Sequence, residues 1–233
     1  MTTASQPSPA TDTSPLEPAK IAELFAFPRR FFARDHNLDR KPELYLVIWL
    51  AGMAKFLDRI DLKLTQRSIE SASRSDLLVT LASSWKSLWI SMLLFGLISG
   101  GLGWLIGGWW YGVRLHLAGA PNGYEREARL TWAYTTFVTS MPLVVLTAIN
   151  TVRYDSYVEA NEAAGISALL MMALLFWSVY VSYTAATTRF KLNPGQAKLW
   201  FLILPLVIYL VFLVLFGALG AFVGPEASPS VPA

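Results

Sequence analysis

The side chains able to do chemistry are few, and their positions limit what they can do. His36 and His116 are the two imidazoles. With no cysteine among 233 residues, the chain has no thiolate nucleophile, no disulfide and no Cys-held metal. No HExxH, GxSxG or phosphate-loop pattern occurs, and the pair Gly101 and Gly103 lies inside an apolar run instead of between a strand and a helix. The sequence therefore predicts no catalytic residue, no metal site and no cofactor. What remains is cationic: Arg114, His116, Arg126 and Arg129 flank the turn signal Pro121-Asn122-Gly123. Such groups suit a phosphate headgroup or a partner surface, and they equally suit the simpler task of anchoring helix ends at a membrane border.

Two other patterns carry weaker chemistry. Gly96, Gly100, Gly103 and Gly107 follow one another at steps of four, three and four, and Gly108 with Gly112 adds a further GxxxG pair. In lipid such a face lets two backbones approach closely, either within one bundle or between two copies. Thr131, Thr135 and Thr139 recur every four residues as a hydroxyl stripe, with Pro142 just beyond. Ser178, Ser182, Thr184, Thr187 and Thr188 continue the theme later in the chain. Hydroxyls of this kind bond to helix carbonyls, join helices, or line a polar path.

The elements that must position these groups follow from the charge map. The chain is 54% hydrophobic and 15% charged, and no Asp, Glu, Lys or Arg occurs in 87–113, 130–152, 163–188 or 199–225. Each run exceeds the roughly 20 residues that cross a bilayer as a helix. A fifth apolar segment, 44–54, is short and ends at Lys55. It crosses only if Lys55 snorkels and Glu43, Asp58 and Arg59 sit at the borders; the alternative is a re-entrant or surface helix. Phe56, Ile60 and Leu64 then recur every four residues, so that helix should continue beyond the apolar segment.

Counting Lys and Arg for five spans gives twelve on the side of the N-terminus and six on the other, which predicts a cytoplasmic N-terminus and an outer C-terminus. The predicted fold class is thus an all-α polytopic membrane protein, a bundle of five transmembrane helices. Its divisions are a disordered tail (1–20), a basic aromatic juxtamembrane segment (21–42), a membrane domain (43–224, with spans about 43–57, 88–112, 130–150, 164–187 and 199–223) and a short tail (225–233). Residues 21–32 mix Phe with Arg and are expected either at lipid headgroups or packed on the protein itself, broken at Pro28.

The residues so assembled resemble the Yip1 domain family, particularly its bacterial members. The likeness rests on a short first helix ending in Leu57-Asp58-Arg59-Ile60-Asp61, the Gly- and Trp-rich run GLISGGLGWLIGGWWYGVRL, the turn GAPNGYEREARLTWAY and the internal proline of SMPLVV. The resemblance implies five transmembrane helices with a cytoplasmic N-terminus, in a multi-pass protein of the inner membrane if the chain is bacterial. It implies no catalytic residues.

The expected function is that of a non-enzymatic scaffold that organises membrane proteins or lipids through helix packing. Its partners would be membrane lipids, further copies of itself or other membrane proteins. The alternative is an uncoupled transport-class activity, a small-solute facilitator or lipid scramblase. A net charge of +3 gives no support to a nucleic-acid partner. The four long runs hold no ionisable side chain, which argues against ion-coupled transport.

Overall fold

The computed structural model describes residues 14–34, 38–70, 77–163 and 165–222. Of the predicted tails, 1–13 and 225–233 lie outside them, as does His36, whereas 14–20, expected to be disordered, are described and carry the start of the first helix at Pro18. Among the described residues every regular element is helical. The order is α1 (Pro18–Ala26), α2 (Pro28–Ala33), α3 (Lys41–Glu70), α4 (Leu77–Ala82), α5 (Trp85–Leu117), α6 (Glu125–Arg153), α7 (Tyr157–Glu162), α8 (Gly165–Arg189), α9 (Pro194–Lys198), a π-turn (Leu199–Ile203) and α10 (Leu204–Phe222).

Four helices are long and apolar enough to cross a membrane: α5, α6, α8 and the stretch Pro194–Phe212. α5 and α6 contain the charge-free runs 87–113 and 130–152 and extend beyond them, because helix propagation does not stop at the first charged residue; solvated Glu, Arg and Lys are good helix formers. Glu125 and Glu127 in the first turn of α6 and Arg153 in its last also suit the helix dipole. At the end of α5 the chain turns through Gly119, whose φ of +86° favours glycine. There Gly119 N–H donates to His116 O and Ala120 N–H to Leu115 O, both at 2.9 Å, closing the helix in a Schellman arrangement.

Helix α3 is the element that the apolar pattern understates. It runs unbroken through Lys55, Asp58, Arg59 and Asp61 to Glu70, and it packs along both α5 and α6. Ile48 meets Gly100, Gly52 meets Gly96, and Phe56 stacks on Phe95, so α3 and α5 run antiparallel. Val47, Leu57 and Ile60 have no exposed surface.

Pro28 interrupts the N-terminal stretch as expected, dividing it into α1 and α2 at Phe27. Leu24, Phe31 and Phe32 are nonetheless buried in one core with Val47, Tyr134, Phe137, Val138, Val181 and Ala185. The Trp177 indole donates a 2.9 Å hydrogen bond to Phe25 O, which fixes this helical pair against α8. Of the two expectations for 21–32, packing on the protein's own helices describes the buried face. Phe27, Arg29 and Arg30 remain exposed at the tip.

Candidate functional site: a charged cavity among the helices

Six of the seven glycines of α5 face other helices of the same chain. A Cβ on Gly100 would strike Ile48 O, one on Gly96 would come within 2.8 Å of Met53 Cγ, and one on Gly107 would overlap the Trp132 indole. Gly103 lies against Trp132 and the Lys55 methylenes, Gly108 against Arg129, and Gly112 against Ala128 at 3.7 Å. Gly101, outside that set, meets nothing within 4 Å. The partner glycine is Gly52 on α3, where a Cβ would overlap Gly96 O and the Gly100 backbone. Sequence reasoning missed Gly52; the signal for it was the run of small residues Ala51-Gly52 with Ala54.

This close approach turns another face of α3 inward. Ala51, Ala54, Lys55 and Asp58, at steps of three, one and three, lie on one side of the helix and line a cavity of about 720 Å³. From α6 come Trp132, Thr135, Thr136, Thr139 and Ser140; from α8, Met171, Met172, Leu175, Ser178 and Ser182. Arg114 enters from the end of α5, and Phe201, Pro205, Tyr209 and Phe212 close the side formed by the last helix.

Four of the lining hydroxyls are not free donors. Thr135 Oγ1 donates to Trp132 O at 2.9 Å, Thr139 Oγ1 to Thr136 O at 3.0 Å, Ser140 Oγ to Thr136 O at 3.1 Å and Ser178 Oγ to Leu175 O at 2.7 Å. Their protons are spent within their own helices, and what they can offer the cavity is oxygen lone pairs. Positive charge comes from Lys55 and Arg114, negative charge from Asp58. Lys55 and Asp58 are three residues apart on one face and interact electrostatically.

Arg114 is held differently. Its guanidinium carbon lies 5.2 Å from the Tyr111 ring centroid and 4.7 Å from that of Phe201. Such stacking suits a planar cation and orients it. The Phe201 ring is placed by the π-turn. Pro205, four residues on, lacks the N–H that would bond Phe201 O, and the widened turn is one way a helix accommodates that loss. Arg114 Nε is buried without a hydrogen-bond partner, and no carboxylate forms an ion pair with Arg114 among the described residues.

The other three cationic candidates lie elsewhere. His116 and Arg129 line a separate surface pocket beside the Pro121–Gly123 turn. Arg129 also sits 5.5 Å over the Trp104 ring. Arg126 is 71% exposed and pairs with Asp39, in the stretch before α3. The structure therefore does not gather Arg114, His116, Arg126 and Arg129 into one site. Lys55 and Asp58 accompany Arg114 instead. Long spans free of charge do not make an uncharged interior, because α3 and the end of α5 supply charges that those runs omit.

A second polar pocket adjoins the cavity. Asp58, Leu143 and Met171 line both, and Asp61, Asn150, Tyr157 and Asn161 line the second. Tyr157 Oη donates a 2.8 Å hydrogen bond to Asp61 Oδ1. Beyond the apolar segment of α3, burial pushes the Asp61 carboxyl up to about 6, against the effect of that hydrogen bond, and neighbouring Asp58 raises it further. No group of three or more metal-ligating side chains occurs among the described residues.

Four membrane-length helices around a polar cavity define the class: a multi-pass helical membrane protein. No family model, curated protein or solved structure matches the chain.

Proposed function

We propose that this protein is a non-enzymatic, five-span membrane protein whose central cavity admits an amphiphilic or small polar molecule, a facilitator of the lipid-scrambling or solute type. The observation that carries this reading is the joint lining of one cavity by Lys55, Asp58, Arg114 and the oxygens of α6 and α8. Ionisable groups inside a membrane domain are expensive, and those facing a cavity mark paths and binding sites more often than they serve packing.

In this reading α3 is the fifth span. Its support is the antiparallel run of Ile48, Gly52 and Phe56 along Gly100, Gly96 and Phe95, which sets α3 beside a membrane-length helix. Lys55 and Asp58 of α3 line the cavity, which lowers the main cost of placing them at membrane depth. The twofold excess of Lys and Arg on the N-terminal side supports a cytoplasmic N-terminus, as does the resemblance to the Yip1 domain family. We place the facilitator ahead of the scaffold because Gly96, Gly100, Gly103, Gly107, Gly108 and Gly112 are already occupied by α3 and α6, which leaves Gly101 alone of the α5 glycines open to a second copy.

The test is reconstitution of the purified chain into vesicles carrying fluorescent lipid analogues in one leaflet, with a parallel assay of small-solute efflux. Accelerated exchange in either assay, reduced by Lys55→Met or Asp58→Asn, is the expected result. Protein-containing vesicles that exchange neither faster than empty ones overturn it.

A further inference from the structure

Arg114 has an uncompensated charge in a place where charge is costly, and this limits what the cavity can hold. Lys55 has Asp58 three residues away on its own helix face, whereas Arg114 has aromatic rings on two sides and no carboxylate partner among the described residues. The lining charges therefore sum to one net positive, concentrated at the Arg114 end. A partly buried guanidinium with a buried unpartnered Nε is most stable when an anion with paired oxygens meets its free edge.

The cavity wall identifies the rest of that molecule. Beside the polar groups the lining includes Met171, Met172, Leu175 and Phe176 from α8 with Phe212 from α10, soft apolar side chains that accommodate a hydrocarbon chain. The main contacts of α10 are with α8 and the preceding π-turn, and it has none of comparable extent with α3. That leaves the side between α3 and α10 thinly closed, while Val207, Leu210, Val211 and Val214, on the face of α10 turned away from Tyr209 and Phe212, present exposed apolar surface suited to lipid. A water-soluble anion would have no use for these walls; an amphiphile would use both.

Resting on the reading of the cavity as a substrate site, we propose that the cavity binds a membrane lipid with a singly negative phosphodiester headgroup, its phosphate oxygens on Arg114 and its acyl chain along Met171, Leu175 and Phe212. The zwitterionic lipids that carry an added ammonium are poorer ligands, because the site already holds a net positive charge.

The experiment uses the full chain purified in a neutral detergent. Native mass spectrometry records lipids retained from membranes, and thermal stabilisation is titrated with phosphatidylglycerol, phosphatidylcholine, a short-chain alkyl phosphate and inorganic phosphate. Retention and stabilisation by phosphatidylglycerol at least tenfold lower in concentration than by phosphatidylcholine are expected. Inorganic phosphate should have little effect, and the alkyl phosphate should fall between. Arg114→Gln should abolish the preference, Arg114→Lys should keep part of it, and Arg126→Gln, off the cavity, should leave it unchanged. Equal stabilisation by both lipids, an unchanged preference in Arg114→Gln, or stabilisation by inorganic phosphate equal to that by lipid would overturn the proposal. Should Arg114→Gln fail to fold, the lipid selectivity of the wild-type chain decides the matter alone. Selective retention without vesicle exchange would leave the binding site standing and remove the facilitator; exchange without anionic selectivity would do the reverse.

Discussion

Tyr157 Oη donates to Asp61 Oδ1 at 2.8 Å, joining the short connector helix α7 to the far part of α3 across 96 residues of chain. Burial of the Asp61 carboxyl, which this bond only partly offsets, gives a pH-dependent stability. The folded carboxyl titrates near 6, above the ordinary 3.8, so the folded state holds a proton that the unfolded chain releases earlier. The contribution of this group is full below about pH 4 and is lost as the pH rises through 6. Thermal unfolding in detergent should show a decline over that interval, on the order of 2–3 kcal/mol for a shift of about two units. Asp61→Asn should flatten this part of the profile, and a profile identical to wild type would show that Asp61 does not titrate there. Tyr157→Phe should lower stability at pH 7 by about 1–2 kcal/mol.

Helix α3 and helix α5 touch backbone to backbone at Gly52, Gly96 and Gly100. Gly52→Leu or Gly100→Leu should force them apart and destabilise the fold by 3 kcal/mol or more, at the upper end of overpacking effects. Gly101→Leu, with nothing within 4 Å, should change stability by less than about 0.5 kcal/mol. Unfolding temperatures of the three variants in one detergent provide the comparison, and equal losses would refute the assigned contact.

The ion pair between Arg126 and Asp39 is solvent-exposed and should matter little. Arg126→Ala is expected to cost under about 1 kcal/mol, and high salt should mask even that. A larger loss would mean that the segment before α3 depends on this pair for its position.

Absence of cysteine makes the orientation directly measurable. Single substitutions Lys63→Cys and Glu127→Cys lie on opposite sides of the bilayer in the five-span arrangement. A membrane-impermeant thiol reagent applied to intact cells should label the first and spare the second. Labelling of both or neither, or the inverse pattern, contradicts the arrangement.

Four of the long helices were legible because a continuous apolar run needs no tertiary information to be recognised. Helix α3 was only partly legible. Its apolar part is short because Lys55 and Asp58 serve the cavity, and a linear pattern does not separate a cavity-facing charge from a solvated one. The glycine steps of α5 predicted a packing face, yet Gly52 could be recognised as its counterpart only once α3 was known to run antiparallel to α5. Thr135 and Thr139 share a helix face, as their spacing implied. That Lys55 and Arg114 share their cavity depends on the packing of three helices, and no local signal encodes it. The grouping of Arg114 with His116, Arg126 and Arg129 followed sequence proximity, whereas helical rotation and the loop through Gly119 send those side chains in different directions.

The two-sided character of α3 has a consequence for how the chain is made. A helix with Lys55 and Asp58 in its middle partitions poorly into lipid by itself, while α5 partitions readily. In the proposed five-span arrangement, the close fit of Gly52 on Gly96 and Gly100 favours their entry as a hairpin, with α5 drawing its weaker neighbour in during synthesis. A chain truncated before α5 should accordingly leave α3 outside the bilayer, stranded where quality-control proteases can reach it.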